Sequence, residues 1–363
     1  MKEISIYVHI PFCERKCNYC AFNSFCAKND QIDEYIDVLC DEIKSRKCDR
    51  LVKTIYFGGG TPSILSAKQF SKVASAIFDN FTVDKDAEFT VEANPNSLTE
   101  EKLETYKKIG VNRLSVGVQS LDDDQLQKIG RLHNSSLALE KIALAKRYFD
   151  NVSADLLIGL EGQNGDQLVE FASKFLSLGV KHISCYLLEV YPNTKLGQMV
   201  DFGQYSPLGD DDEIDAFEML SKYLESKNMV RYEISNFAFQ GFESRHNLNY
   251  WKRGEYLGFG LSAHSFEKNC RYKNAENMAD YKNHKIEKEI LTDKEICEES
   301  IMLGLRCNIG VSLKELQKYS FDLTKNAYFQ EYLSKGILKE DGDIVTLDEK
   351  YYDISNTILS NLI

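Results

Sequence analysis

Near the start of the chain stands Tyr7-Val8-His9-Ile10-Pro11-Phe12-Cys13-Glu14-Arg15-Lys16-Cys17-Asn18-Tyr19-Cys20. The run Ile4–Ile10 reads as a β-strand, and it leads directly into three cysteines spaced CxxxCxxC. Three thiolates on one short loop can surround a single soft metal centre. If that centre is a four-iron cluster, three protein ligands leave one iron open to a substrate or cofactor. A three-cysteine zinc site with His9 as fourth ligand is the competing reading. His9 lies four residues before Cys13, so the chain would have to turn back to deliver it. Cys26 is close by and reads as an incidental or buried thiol.

Outward from this stretch, strand-like and helix-like segments alternate. Gln31 to Arg46 is helical, with Ile32, Tyr35, Ile36, Leu39 and Ile43 on one face. Thr54–Phe57 reads as the next strand, and Ala67 to Asn80 as the next helix. Glu88–Ala93, Arg113–Val118, Ser153–Ile158 and His182–Leu188 are short, apolar, β-rich runs, each followed by a helical pattern. Six such units ending near residue 200 predict an α/β fold, an open (β/α)6 partial barrel rather than a closed eightfold one. Residues 230–275 are dense in aromatics, glycines and histidines and show no clear helix. From Thr292 the pattern is helical again, then Gly336–Leu347 reads as a hairpin turning at Asp341-Gly342. A last amphipathic helix is expected over Tyr352–Leu362. The predicted division is a partial barrel over 1–205, a barrel extension over 206–290 and a small helical, winged-helix-like module over 291–363. Its acidic charge points to packing or partner contact rather than DNA.

The 363 residues carry 44 basic and 56 acidic side chains, a net charge of −12, with 43% hydrophobic and 28% charged residues. That is the composition of a globular protein. A pI near 5.2 argues against electrostatic binding of nucleic acid. No apolar run approaches the ~18 residues of a membrane span, and the first ten residues lack the pattern of a signal peptide. Of ten cysteines, four fall within Cys13–Cys26 and the rest are scattered, unlike a secreted disulfide framework. The expectation is a soluble, cytoplasmic protein.

Three further features fall towards the same rim. Gly58-Gly59-Gly60-Thr61-Pro62 follows the second strand, and its glycines let the backbone approach a ligand closely. No Gly-Lys-Ser/Thr follows, so it is not a phosphate loop. Glu92 ends the third strand, Gln119 ends the fourth, and Asp155 lies in the fifth. In parallel α/β folds, ligands gather at the C-terminal ends of strands. Each residue alone reads as a cap; together they read as a site.

These residues resemble the radical S-adenosylmethionine (SAM) superfamily, and within it the oxygen-independent coproporphyrinogen III oxidase-like family. The likeness continues through Glu92-Ala-Asn-Pro95, Ser115-Val-Gly-Val-Gln119, Gly130-Arg131-Leu-His133 and Asp155-Leu-Leu-Ile-Gly159. It extends to Tyr232-Glu-Ile-Ser-Asn-Phe237 and Gly304-Leu-Arg306, so it spans nearly the whole chain. One departure is Glu161, where relatives carry proline. The resemblance implies a radical-SAM partial barrel in which Cys13, Cys17 and Cys20 hold a [4Fe-4S] cluster whose fourth iron binds SAM. It implies that Tyr7, Tyr19, Gly59 and Glu92 contact that SAM. Gly60, Thr61, Gln119, Arg131 and Asp155 would line the adjoining pocket, where oxidase relatives hold a second SAM. The implied chemistry is one-electron cleavage of the sulfonium to a 5′-deoxyadenosyl radical.

The oxidases carry CxxxCxxCxC and a longer N-terminal extension. Here Ala21 and Phe22 follow Cys20, and six residues precede Tyr7. Both differences resemble the HemW-type branch, described as haem chaperones. His246-Asn247-Leu248-Asn249-Tyr250-Trp251 matches that branch's HNxxYW motif. The resemblance implies haem ligation by His246, with Tyr250 and Trp251 covering the macrocycle. His264, in Ser262-Ala-His-Ser265, is a second motif histidine, while His182 and His284 read as ordinary. The function implied is binding of haem and its transfer to an acceptor protein, without nucleic acid or membrane span. The alternative is an enzyme oxidatively decarboxylating coproporphyrinogen III, and a zinc-bound structural protein is the third reading.

Overall fold

Strand β1 (Glu3–Ile10) sets the two faces of the sheet in the computed structural model, which describes residues 2–363. Ile4, Ile6, Val8 and Ile10 are buried in the main apolar core with residues of the surrounding helices. By strand alternation Ser5, Tyr7 and His9 take the opposite, inner face. Next come β2 (Leu51–Gly59), β3 (Thr82–Ala93), β4 (Arg113–Gln119), β5 (Asn151–Ile158) and β6 (His182–Leu187). All six pair in parallel and in sequence order, as expected of consecutive βα units.

The sheet continues beyond those six. β9 (Tyr256–Phe259) adds in parallel beside β1, so the parallel layer has a strand that the sequence pattern did not announce. β10 (His264–Glu267), β11 (Cys270–Asn274) and β12 (Ile286–Ile290) follow it antiparallel. On the far side β8 (Asn236–Ala238) pairs with β6, and β7 (Val230–Glu233) with β8. The result is a twelve-stranded sheet in the order β12-β11-β10-β9-β1-β2-β3-β4-β5-β6-β8-β7.

Residues 230–275, expected to lack a helix, contain one at Arg245–Trp251, capped by the Ser244 hydroxyl. Its inward residues His246 and Tyr250 are polar, so apolar periodicity gives no sign of it. The helix packs on the inner face. His246 Nδ1 meets Thr54 Oγ1 at 2.7 Å, and the Glu88 carboxylate accepts from the Arg245 and His246 amides at 2.9 and 3.0 Å.

The C-terminal residues form a second apolar cluster of their own, from Cys297 to Leu362. Helix Asp293–Gly304, β13 (Val311–Ser312), helices Leu313–Gln317 and Ala327–Ser334, then β14 (Leu338–Asp341) and β15 (Ile344–Leu347) follow in winged-helix order. The final helix begins at Ser355 rather than Tyr352, because a 3-10 turn, Glu349–Ile354, occupies the expected first turn. Arg231 clamps this region to the barrel: its guanidinium lies 4.6 Å from the Phe217 ring and 5.2 Å from Tyr352, and donates to Asp353. No described helix is long and apolar enough to cross a membrane.

Glu42 ties the helix Asn29–Ser45 to the β9–β11 extension. Its buried carboxylate accepts from Arg46 at 3.1 Å, Asn274 at 2.8 Å, the Tyr281 hydroxyl at 2.7 Å and the Gly260 amide at 2.9 Å. Removing one partner of such a network strands the others without water. Glu42→Ala is expected to lower unfolding stability by about 3 kcal/mol, read from urea melts.

Candidate metal and cofactor site

The loop from Pro11 to Cys20 has no helix or strand, so contacts from elsewhere hold it. The Cys13 amide donates to Phe25 O at 3.0 Å, and the Asn18 amide to Ile129 O at 2.9 Å. Arg15 donates to Gly130 O at 2.8 Å and to Arg131 O at 3.0 Å, fastening the loop to the turn after β4. Each thiol meets a polar partner: Thr61 Oγ1 donates to Cys13 Sγ at 3.5 Å, and Arg131 Nη1 to Cys17 Sγ at 3.4 Å. Ser24 Oγ lies 4.0 Å from Cys20 Sγ. Burial raises the pKa of the Cys13 thiol and the Thr61 and Ser24 contacts offset part of that, and the polar group beside each sulfur fits side chains that would hold a thiolate-bound iron–sulfur cluster. Among the described residues no three His, Cys, Asp or Glu side chains are gathered around a single point. His9 stays in β1, with Nδ1 3.0 Å from the Tyr7 hydroxyl and Nε2 3.4 Å from Asn23 O.

The glycines lie beside this loop for a steric reason. A Cβ on Gly59, whose φ is +111°, would stand 2.5 Å from the His9 ring, and one on Gly60 would stand 2.8 Å from Phe12 O. The Gly59 amide donates to Glu92 Oε2 at 3.2 Å, and Tyr56 Oη donates to Glu92 Oε1 at 2.7 Å. Tyr7 stacks on Tyr56 at 6.2 Å between ring centroids. Burial pushes the Glu92 carboxyl up to about 7. The Tyr56 bond opposes this shift and the Asp155 charge adds to it.

Arg131 joins the two halves of the rim. Besides Cys17, it donates to Asn94 Oδ1 at 2.7 Å and to Gly117 O, while Asn94 Nδ2 donates to Thr61 Oγ1 at 2.9 Å. Thr61 closes the circuit on Cys13. The Nε of Arg131 is buried and has no partner among the described residues. Gln119 ends β4 at φ +72°, a conformation non-glycine residues rarely adopt and one that clusters at ligand sites. Asp155 accepts from Ser115 at 3.0 Å and Ser184 at 2.8 Å, and burial raises its pKa. Tyr19 packs against Ile129, Leu157 and Leu160. Glu161 pairs with Lys128 on the surface, away from this circuit. Sequence reading passed over Asn94, Tyr56 and Arg15. Asn94 and Tyr56 follow the inner-face alternation of Glu92 and Tyr7, which was the available signal; nothing local marks Arg15.

The HNxxYW residues divide. His246 is 1% exposed, with Nδ1 on Thr54 and Nε2 2.9 Å from the Tyr250 hydroxyl, so neither nitrogen is open. Its ring stacks on Tyr56 at 4.9 Å. Tyr250 lies edge-on to His246, whereas Trp251 lines a groove towards the C-terminal module with Ile296, Leu316 and Tyr319. As adjacent positions on a helix, Tyr250 and Trp251 point about 100° apart. His264 is exposed on β10.

Glu92 makes the apoprotein sensitive to pH. A carboxyl raised to about 7 in the native state keeps a proton that the unfolded chain releases. The stability it contributes is complete below the unfolded carboxylate pKa and is lost as pH rises through about 7. Urea midpoints are therefore expected to fall between about pH 5 and pH 8 more steeply in the wild type than in Glu92→Gln.

Comparison with known proteins bears on this geometry. Residues 7–175 match the Radical SAM superfamily model, and residues 291–350 match the HemN C-terminal domain. The chain is 37% identical to the heme chaperone HemW of Bacillus subtilis (strain 168), covering 98% of this chain and 97% of that one. It is 33% identical to the heme chaperone HemW of Lactococcus lactis subsp. lactis (strain IL1403), covering 100% and 98%. Among solved structures, coproporphyrinogen III oxidase (HemN) from Escherichia coli superposes with a TM-score of 0.86 at 21% identity. That match covers 99% of this chain and 90% of the oxidase, and it shows a shared fold. With the cysteine loop, the glycine turn and the polar rim assembled on one face, the chain belongs to the radical SAM superfamily and, within it, to the HemW family.

Proposed function

We propose that this protein binds haem and hands it to an acceptor protein. The observation that carries this reading is similarity along almost the whole chain to relatives described as heme chaperones. In this reading Cys13, Cys17 and Cys20 hold a [4Fe-4S] cluster, with Thr61 and Arg131 donating to the sulfurs of Cys13 and Cys17. Tyr7, Tyr19, Gly59 and Glu92 hold SAM, while Gly60, Thr61, Gln119, Arg131 and Asp155 line the adjoining pocket. When bound, the cluster supplies a low-potential electron to the SAM sulfonium. Arg131 keeps the loop and rim in register through Asn94, and β1–β6 exclude water from their apolar outer side.

Residues 1–205 supply the cluster and SAM site, 206–290 extend the barrel, and 291–363 supply packing or partner contact. The ten unpaired cysteines suit a reducing compartment, the cytoplasm. Haem ligation by His246 requires Tyr250 to release Nε2 or Thr54 to release Nδ1.

Anaerobic haem titration of cluster-reconstituted protein, followed at the Soret band, tests the function. Saturation near ~1 haem per chain, then loss of that band to an added apo-haemoprotein, is expected. No saturable binding, with carbon dioxide released from coproporphyrinogen III, would replace the carrier by the oxidase reading. Cys17→Ala is expected to lower iron and sulfide from about four of each per chain to near zero after anaerobic reconstitution, by elemental assay.

A further inference from the structure

The chain has six histidines. Four are withdrawn from solvent: His9, His133, His182 and His246 are between 0% and 8% exposed. His182 bonds Ser153 and Tyr232 through its two nitrogens, as His246 bonds Thr54 and Tyr250. His133 is buried against Val118 O at 3.0 Å. Exposed imidazoles remain at His264 and His284. His284 lies in a cleft with Arg46, Tyr281 and Glu42, on the outer side of the β10–β12 extension.

His264 takes the inner side. The next residue, Ser265, turns outward, where its hydroxyl accepts from Arg46 at 2.9 Å and from the Gly258 amide at 2.9 Å. Alternation therefore aims His264 the other way, towards the face that carries Tyr7 and Tyr256. Burial first, and the neighbouring His264 after it, lower the pKa of His9 beneath Gly59. The His264 hairpin is also fastened to the cysteine loop. Asn23, three residues beyond Cys20, donates to Ser262 Oγ at 2.6 Å and to Glu276 O at 3.1 Å.

We propose that His264 is the protein ligand to haem iron, set on the inner face where the cysteine loop grips the β9–β11 extension. This rests on the carrier reading. A neutral imidazole with a free nitrogen is what ferric haem requires. Partial burial, then nearby Lys273 and Arg271, lower the His264 pKa, which favours the neutral imidazole. Lys273 pairs across the strands with His264, and Arg271 with Phe266, so both cations lie on the same face. They are held in ion pairs with Glu276, Glu289 and Glu299, which haem propionates can replace. Tyr256, half-buried on the neighbouring strand and the same face, supplies apolar ring surface for the macrocycle.

The test is the anaerobic Soret titration repeated with His264→Ala, His264→Tyr, His246→Ala and His284→Ala, with iron and sulfide measured in each. His264→Ala is expected to weaken haem binding by about tenfold or more at unchanged cluster content. His264→Tyr should retain haem but move the Soret band to that of a tyrosinate-bound ferric haem. His284→Ala should titrate like the wild type. A His264→Ala protein that binds as the wild type does overturns the assignment, as does loss confined to His246→Ala or His284→Ala. If the wild type itself binds no haem, the carrier reading falls instead.

Discussion

A loop with no secondary structure has no shape of its own, and the three cysteines stand on such a loop. Its form comes from hydrogen bonds that its own Arg15 and Asn18 donate to the carbonyls of Gly130 and Lys128, at the turn after β4 and more than a hundred residues along the chain. Arg131 from that same turn then reaches Cys17, Asn94 and the Gly117 carbonyl together. Asn94 passes the constraint to Thr61, and Thr61 to Cys13. The thiols are thus held by the ends of β2, β3 and β4 acting together. A disturbance in any of these strands reaches the cysteine loop.

The inner face is polar to an extent that would be costly without pairing. Serines 115, 153 and 184 surround the Asp155 carboxylate, Tyr56 and the Gly59 amide hold Glu92, and Glu88 holds the start of the helix Arg245–Trp251. That helix occupies the inner face through its polar side, with His246 between Thr54, Tyr56 and Tyr250. Apolar contacts are left to the outer face, where the isoleucines and valines of β1 to β6 meet the helices. Stability and site chemistry therefore use opposite sides of the same strands. The stacked Tyr7, Tyr56 and His246 rings link the Glu92 rim to the helix below it.

Much of the fold was legible because its signals are local. Alternation in Ile4–Ile10 and the helical face of Ile32, Tyr35, Ile36, Leu39 and Ile43 each fall within a few residues, and each is buried as its period requires. The CxxxCxxC spacing and the three glycines are likewise contiguous. The helix at Arg245–Trp251 was hidden because its buried side is histidine and tyrosine, and β9 because its partner in the parallel layer, β1, lies about 250 residues earlier.

By itself, the sequence determined the order of the six parallel strands, the rim on which the cysteines, glycines and carboxylates fall, and the winged-helix-like end. These depend on backbone periodicity and on short spacings. Only the tertiary structure decided that Asn94 and Arg131 join Cys13 to Cys17, that Tyr250 and Trp251 face apart, and that His246 is enclosed while His264 is open. A hydrogen-bond partner or a free nitrogen belongs to a place in space, and residues that share that place can lie anywhere along the chain.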